Sequence, residues 1–341
     1  MKRRAPLAPL LAFALLACSS RPRTRDVVAR RAGDPDAGPP PESTVAPPPT
    51  PQPVAPPPAA TKLRLVTRAS CRALAIDDAR VYFGNNDDDA VFSVKKEGGE
   101  PVRLARRAPV AGALAIEGGH LTWIATPGDI VLRVPVGGGN PTTLRERGIF
   151  ADVAMQGSDV YIAEIVGAGG DITRVSGATA ARIASVEGGP RAIAVDAKHV
   201  YVATSSKLVR APRERGEVET LATGPGFDSP VLDDEAVYAV AATAVGTRQL
   251  LRIAKSGGEP KAIASDVRAA PIAEGGGEIL YFDASRPALL AEPSRGGEPR
   301  LVAQDDALAR PSAIAADATS IYVATGERED GAIHAVPRGK R

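Results

Sequence analysis

The stretch Gly98-Gly99-Glu100-Pro101 returns as Gly257-Gly258-Glu259-Pro260 and Gly296-Gly297-Glu298-Pro299, with Gly138-Gly139-Asn140-Pro141 as a near copy. Paired glycines supply the positive φ that a tight hairpin needs, and the proline lacks the N–H that an inner strand would have to donate. A turn of this composition therefore leads into an outermost strand. Short branched segments follow it, as in Val102-Arg103-Leu104-Ala105, Lys261-Ala262-Ile263-Ala264 and Arg300-Leu301-Val302-Ala303.

Working outward, a second recurring feature precedes these turns. The pair Val-Tyr occurs at Val81-Tyr82, Val160-Tyr161, Val200-Tyr201 and Val237-Tyr238, with Leu280-Tyr281 and Ile321-Tyr322 as variants and Leu121-Thr122-Trp123 filling the one gap. With Tyr82, Thr122, Tyr161, Tyr201, Tyr238, Tyr281 and Tyr322 as one column, the spacings are 40, 39, 40, 37, 43 and 41 residues. Seven repeats of this period, each built from short strands, predict an all-β fold, a seven-bladed β-propeller.

Each repeat is laid out alike. A first strand is rich in alanine and branched residues (Leu74-Ala75-Ile76, Leu114-Ala115-Ile116, Ile193-Ala194-Val195, Ile314-Ala315-Ala316), which suits the crowded inner end of a blade. An acid stands five residues before the column at Asp77, Glu117, Asp196, Asp233 and Asp317; aspartate favours such turns because its side chain bonds nearby N–H groups, so these acids are expected to be structural. The third strand carries an arginine at a fixed place (Arg133, Arg174, Arg210, Arg252), whose stem can pack while its head meets the next blade. An anion-binding ring is the sharper alternative for these four.

The last repeat reaches its turn at Pro337-Arg338-Gly339-Lys340-Arg341 without a fourth strand, while Lys62-Leu63-Arg64-Leu65-Val66 reads as a fourth strand ahead of the first repeat. An N-terminal strand closing the last blade removes the open edges of the ring.

The formal net charge is +2, from 42 basic and 40 acidic residues. That balance argues against a nucleic-acid partner. Before the repeats, Lys2, Arg3 and Arg4 precede a short apolar run ending in Leu15-Leu16-Ala17-Cys18, which resembles the lipobox of bacterial lipoproteins. The resemblance implies a signal peptide over residues 1–17, acylation of Cys18 and a membrane partner through the lipid; Ser19 after the cysteine favours the outer membrane. Residues 18–61 read as a disordered tether, in which 12 of the 24 residues from Pro35 to Pro58 are proline. Residues 62–341 are then the propeller domain, expected to be monomeric.

The repeats resemble the bacterial propellers grouped with the YVTN, NHL and TolB-like families, and the chain is similar to propeller lipoproteins of myxobacteria. That resemblance implies the fold and says little about function. On such a ring the first-to-second and third-to-fourth turns lie on one face and are regular here. The second-to-third loops and the links between blades lie on the other and vary in length, which is where a binding site is expected.

Candidates on that irregular face are Asn85-Asn86-Asp87-Asp88-Asp89, Glu164, Arg286 and Glu327-Arg328-Glu329-Asp330, with Arg72, Asp152, Arg191 and Asp228 where blades begin. The run of aspartates could hold Ca²⁺ but lacks the spaced ligands and glycine of a calcium loop, so no cofactor is expected. The function expected is that of a lipid-anchored, non-enzymatic binding or scaffolding module for an envelope protein or small ligand. The alternative is a metal-dependent hydrolase or lyase, since gluconolactonase-like propellers hold a central divalent metal. His120, His199 and His334 scatter, and Cys71 is expected to be a buried small hydrophobe.

Overall fold

The computed structural model describes residues 62–338, apart from 86, 107, 108, 126–128, 270 and 327. The described strands form seven four-stranded sheets. Blade 1 spans residues 74–106, blade 2 110–146, blade 3 150–187, blade 4 190–223, blade 5 227–265, blade 6 273–304 and blade 7 311–337. In blades 1 to 6 the strands pair in chain order, each antiparallel to the last. Two short 3-10 turns, Asp306–Ala309 and Arg328–Asp330, are the helical elements among the described residues, and no described helix is long and apolar enough to cross a membrane.

Blade 7 takes its fourth strand from the other end of the domain. Arg64–Arg68 pairs antiparallel with Ala332–Pro337, placing Arg64 opposite Ala335 and Arg68 opposite Ala332. The strand lies two residues later than the Lys62–Val66 reading, but its role is the expected one. Its pairing skips Val66, and every other fourth strand skips one residue at the same place: Leu104, Leu144, Ile183, Leu221, Ile263 and Val302. A bulge of this kind sharpens strand twist. The skipped residue is apolar in all seven cases, and Val66 is 5 % exposed. The N-terminal strand is thus built like the fourth strands it stands among.

No single core sits at the centre. Alternation along each strand sends neighbouring residues to opposite faces, so each blade is apolar on both and packs against two others. Tyr82 of blade 1 packs with Leu121 and Trp123 of blade 2, Tyr161 of blade 3 with Val200 and Val202 of blade 4, and Tyr201 of blade 4 with Val237 and Ala239 of blade 5. Tyr322 of blade 7 packs with Val81 and Phe83 of blade 1, together with Val66 of the closing strand. The sandwiches run continuously round the ring.

One position of the column differs from the sequence reading. Tyr201 lies opposite Arg210 and Tyr322 opposite Ala335, and the residue of blade 6 in the same register, opposite Ala291, is Leu280 rather than Tyr281. Leu280 faces blade 7 with Ile321 and Val323, whereas Tyr281 turns back onto Tyr238 of blade 5. A one-residue shift flips the face of a strand residue.

The recurrent turns behave as their glycines require. Gly98 and Gly99 have φ of 97° and 120°, Gly257 and Gly258 86° and 116°. Gly98 N–H donates to Lys95 C=O at 2.8 Å and Gly257 N–H to Ala254 C=O at 2.9 Å, closing each turn before the fourth strand. The turn of blade 2 also docks on blade 1, where Gly139 N–H donates to Leu104 C=O at 3.0 Å.

Candidate functional site

Ring closure brings the loops of blades 1 and 7 together on the irregular face. Asp87 from blade 1, Arg310 from the link into blade 7, and Arg328, Glu329 and Asp330 from the blade 7 loop line one open cavity of about 730 Å³. Arg328 has φ of 52° and Asp89 φ of 48°, left-handed conformations that side-chain-bearing residues seldom adopt. The blade 7 loop is held there by the closing segment. Arg328 N–H donates to Ser70 Oγ at 3.0 Å, and Ala69 N–H to Gly331 C=O at 3.0 Å. A Cβ on Gly331 would lie 2.4 Å from Ala69 O, so only glycine lets the two strands of chain approach this closely.

The charges at this seam are wet and loosely paired. The one ion pair among these five is Arg310–Asp330 at 3.7 Å, with side chains 69 % and 81 % exposed. A second groove of about 330 Å³ adjoins it, sharing Arg310 and Asp330 and adding Arg68, Asp306 and His334. Burial and the Arg68 charge hold His334 below the usual histidine range, against the pull of Asp305. The neighbouring aspartates serve their own loop: Asn85 Nδ2 donates to Asp88 Oδ2 at 2.6 Å, and Asp87 N–H to Asn85 Oδ1 at 3.3 Å.

Other candidates are placed elsewhere. Asp228 accepts from both Arg191 and Arg248 at 3.2 Å, an ion triad between blades 4 and 5. Asp152 accepts from Val153 N–H at 2.8 Å and from Ile193 N–H of blade 4 at 2.9 Å, so it ties two innermost strands together. It keeps a little surface but is packed round by protein, and burial pushes its carboxyl up to about 7 although both N–H bonds act against this. Glu164 meets Arg145 at 3.4 Å and Arg286 meets Asp283 at 2.8 Å. Cys18, Asn86 and Glu327 lie outside the described residues. Among the described residues no three His, Cys, Asp or Glu side chains converge closely enough to hold a metal ion. Cys71 is 2 % exposed and burial pushes its thiol up to about 12, as befits a packed residue rather than a nucleophile.

The four third-strand arginines do not form a ring around an anion. Each head is engaged within its own blade or with the next one. Arg133 donates to Ser158 C=O at 3.3 Å, Arg174 pairs with Asp159 at 2.7 Å, Arg210 with Glu219 at 2.7 Å and Arg252 with Glu235 at 3.1 Å.

The regular face holds a larger cavity, of about 840 Å³, lined by the inner turns of blades 3 to 6 and including Asp196, Asp233, Asp234, Lys255 and Glu274. The turn acids here are structural, as expected. Asp233 accepts from Glu235 and Ala236 N–H at 2.8 and 2.7 Å and from Tyr238 Oη at 2.7 Å. Asp196 does the same with Lys198, His199 and Tyr201. Sequence reasoning overlooked the residues that dock on these acids from the next blade. Lys96 reaches Asp317 at 2.5 Å and Lys255 reaches Asp196 at 2.7 Å. A signal was there: both lysines stand two residues before the glycine pair of their turns.

These features define a seven-bladed β-propeller with charged openings on both faces. No protein-family model matches the chain, and no curated protein matches it in sequence. Solved structures do. A streptogramin B lyase is 13 % identical, with a TM-score of 0.64 over 81 % of this chain and 98 % of that one. The propeller domain of Cps50 (Swd1) from Myceliophteria thermophila is 12 % identical, with a TM-score of 0.61 over 80 % and 98 %. The WD40 propeller domain of Doa1 is 10 % identical, with a TM-score of 0.57 over 83 % and 97 %. At such identities the likeness is one of fold.

Proposed function

We propose that this protein is a non-enzymatic binding or scaffolding module of the cell envelope, anchored to the outer membrane through a lipid on Cys18, with the irregular face presented to a partner protein. The observation that carries the reading is the seam cavity: five charged side chains from three separate segments, held on a rigid ring with one loose ion pair, Arg310–Asp330, among them. Charges left wet on a stiff scaffold suit selective docking, where complementarity sets partner choice and rate of encounter.

Two measurements on the full-length chain in its own envelope test it. Mass spectrometry of the membrane-extracted protein should find an acylated Cys18 as the N-terminus; a soluble mature protein beginning elsewhere removes the anchor. Cross-linking should yield a discrete partner adduct. That adduct should disappear when Asp87, Asp88 and Asp89 are replaced by serine, or Glu327, Glu329 and Asp330 are, at unchanged melting temperature, and persist in Glu100→Gln on the opposite face. Turnover of lactones by the purified protein on adding a divalent metal, with loop variants indifferent, would replace this reading with the enzymatic one.

A further inference from the structure

One strand position is apolar in six blades and acidic in the seventh. It is the third-strand residue that follows the one opposite the column. Six blades place Val94, Val134, Val175, Ala211, Ile253 and Val336 there, each buried and each opposite a buried Val, Leu or Ile of the second strand. In blade 6 the same position is Glu292, opposite Ile279. Glu292 is 1 % exposed, within the range of its aliphatic sisters. A buried polar group in native structure ordinarily has a partner, so a glutamate in this place calls for an explanation.

The carboxyl group finds no counterpart. Its Oε2 is shut off from water and has no hydrogen-bond partner among the described residues. Ile279 and Tyr281 stand on the same face of blade 6 and pack with Tyr238 and Leu250 of blade 5. The charged groups of blade 5 at this junction are engaged elsewhere or in water. Arg252 Nε donates to Ser294 C=O at 3.2 Å and its Nη2 to Glu235 at 3.1 Å, while Lys261, opposite Arg252 in the outer strand, is exposed. In blade 6 itself, Arg295 goes to Glu235 at 3.4 Å, and Glu298 adds a like charge. Arg300 and Arg338 are held by Glu278 on the opposite face, toward blade 7.

Burial, and then the charge of Glu298, push the Glu292 carboxyl above its usual range. A neutral glutamic acid can pack beside Ile279 much as an aliphatic side chain would. An ionised one cannot stay there unpaired, because an uncompensated charge in an apolar seam is strongly disfavoured. Water has a route to it from the regular face, where the next three residues, Pro293, Ser294 and Arg295, wall the 840 Å³ cavity. What ties this turn to blade 5 is a single backbone carbonyl: Ser294 O lies 2.6 Å from Tyr238 Oη and accepts from Arg252. That contact is two residues from Glu292 on the same stretch of chain.

We propose that Glu292 is a pH-sensitive latch between blades 5 and 6: neutral, it packs where the sister blades hold an aliphatic residue, and ionised, it draws in water and lets the turn that follows it come away from blade 5. The latch acts on the regular face and is separate from the irregular-face docking proposed above.

Amide hydrogen exchange of the full chain tests this, read peptide by peptide from about pH 4 to about pH 8 and corrected for the intrinsic rate. The closed form holds a proton on Glu292 that the open form releases. Opening should therefore be rarest below the usual glutamate range and grow as pH rises, by up to about tenfold per pH unit until the closed form too is ionised. The rise should be local to residues 279–299 and the facing strand Ala236–Ala242, which separates it from any titration of Asp152 between blades 3 and 4. Glu292→Gln keeps the shape and cannot ionise, and Glu292→Val restores the residue of the sister blades. Both should lose the local rise, and the valine variant should exchange more slowly than the wild type at neutral pH. No local rise in the wild type, or a rise that persists in both variants, overturns the proposal. None of these readouts involves a docking partner, so a failure here and a failure of the docking function are told apart.

Discussion

Asp152 shows how a residue can look like a site and act as a fastener. Its carboxylate accepts two innermost N–H groups, one from its own blade and one from the next. Burial raises it to about 7, so between the usual aspartate range and pH 7 the folded chain holds a proton that the unfolded chain releases. Stability must therefore fall as pH rises through that window and level off above it. Asp152→Asn cannot ionise and should remove up to one proton from this slope. Thermal unfolding followed from pH 4 to pH 8 checks the point: the variant should gain on the wild type toward pH 7, and parallel curves would mean that Asp152 does not titrate there. Asp228, which also stands where a blade begins, has two arginine partners instead.

At the level of the element, the glycine turns do two jobs that can be separated. All need positive φ, which costs a side-chain-bearing residue roughly 1–2 kcal/mol. Only some also sit against a neighbouring blade. A Cβ on Gly138, at φ 87°, would lie 3.1 Å from Leu104 O of blade 1, whereas at Gly257, at φ 86°, nothing lies within 4 Å. Gly257→Ala should then cost about 1 kcal/mol from the backbone alone, and Gly138→Ala measurably more. Urea unfolding of the two variants decides it; equal losses would show that the turn of blade 2 does not bear on blade 1. The turn glycines were legible in the sequence because a hairpin's φ requirement is local. The skipped residue in each fourth strand was not. Val66, Leu104 and Val302 look like any other apolar strand residue until pairing shows which one is left out.

For the whole molecule, stability rests on closure, since each blade packs only on its neighbours and the last junction is made by a strand from the far end of the domain. Removing residues 62–68 takes away the pairing of Ala332–Pro337 and the Val66 contact with blades 7 and 1. It also bares a strand edge. The truncated chain should melt well below the full chain and tend to aggregate, whereas deletion of residues 19–58 should leave the melting temperature within experimental scatter. Similar melting of both truncations would contradict a ring held shut at this seam.

The sequence by itself determined the class of fold, the number of blades and the strand that closes them. Each of these is written in local patterns: alternation along a strand, glycine where φ must be positive, proline where an N–H can be spared. The choice between Leu280 and Tyr281 for the column was open to the sequence because both are apolar and adjacent. Pairing with Ala291 decided it, since register depends on a partner strand. The same holds for the sites. Asp87, Arg328, Glu329 and Asp330 could be named one by one as loop residues, but that residues 87 and 330 share a cavity with Arg310 follows only from the ring having closed. Likewise Lys96 and Lys255 read as solvated turn residues in the chain, and that they reach Asp317 and Asp196 follows only from the packing of one blade on the next. Contacts between residues far apart in sequence are fixed by how whole blades pack, and no local pattern encodes them.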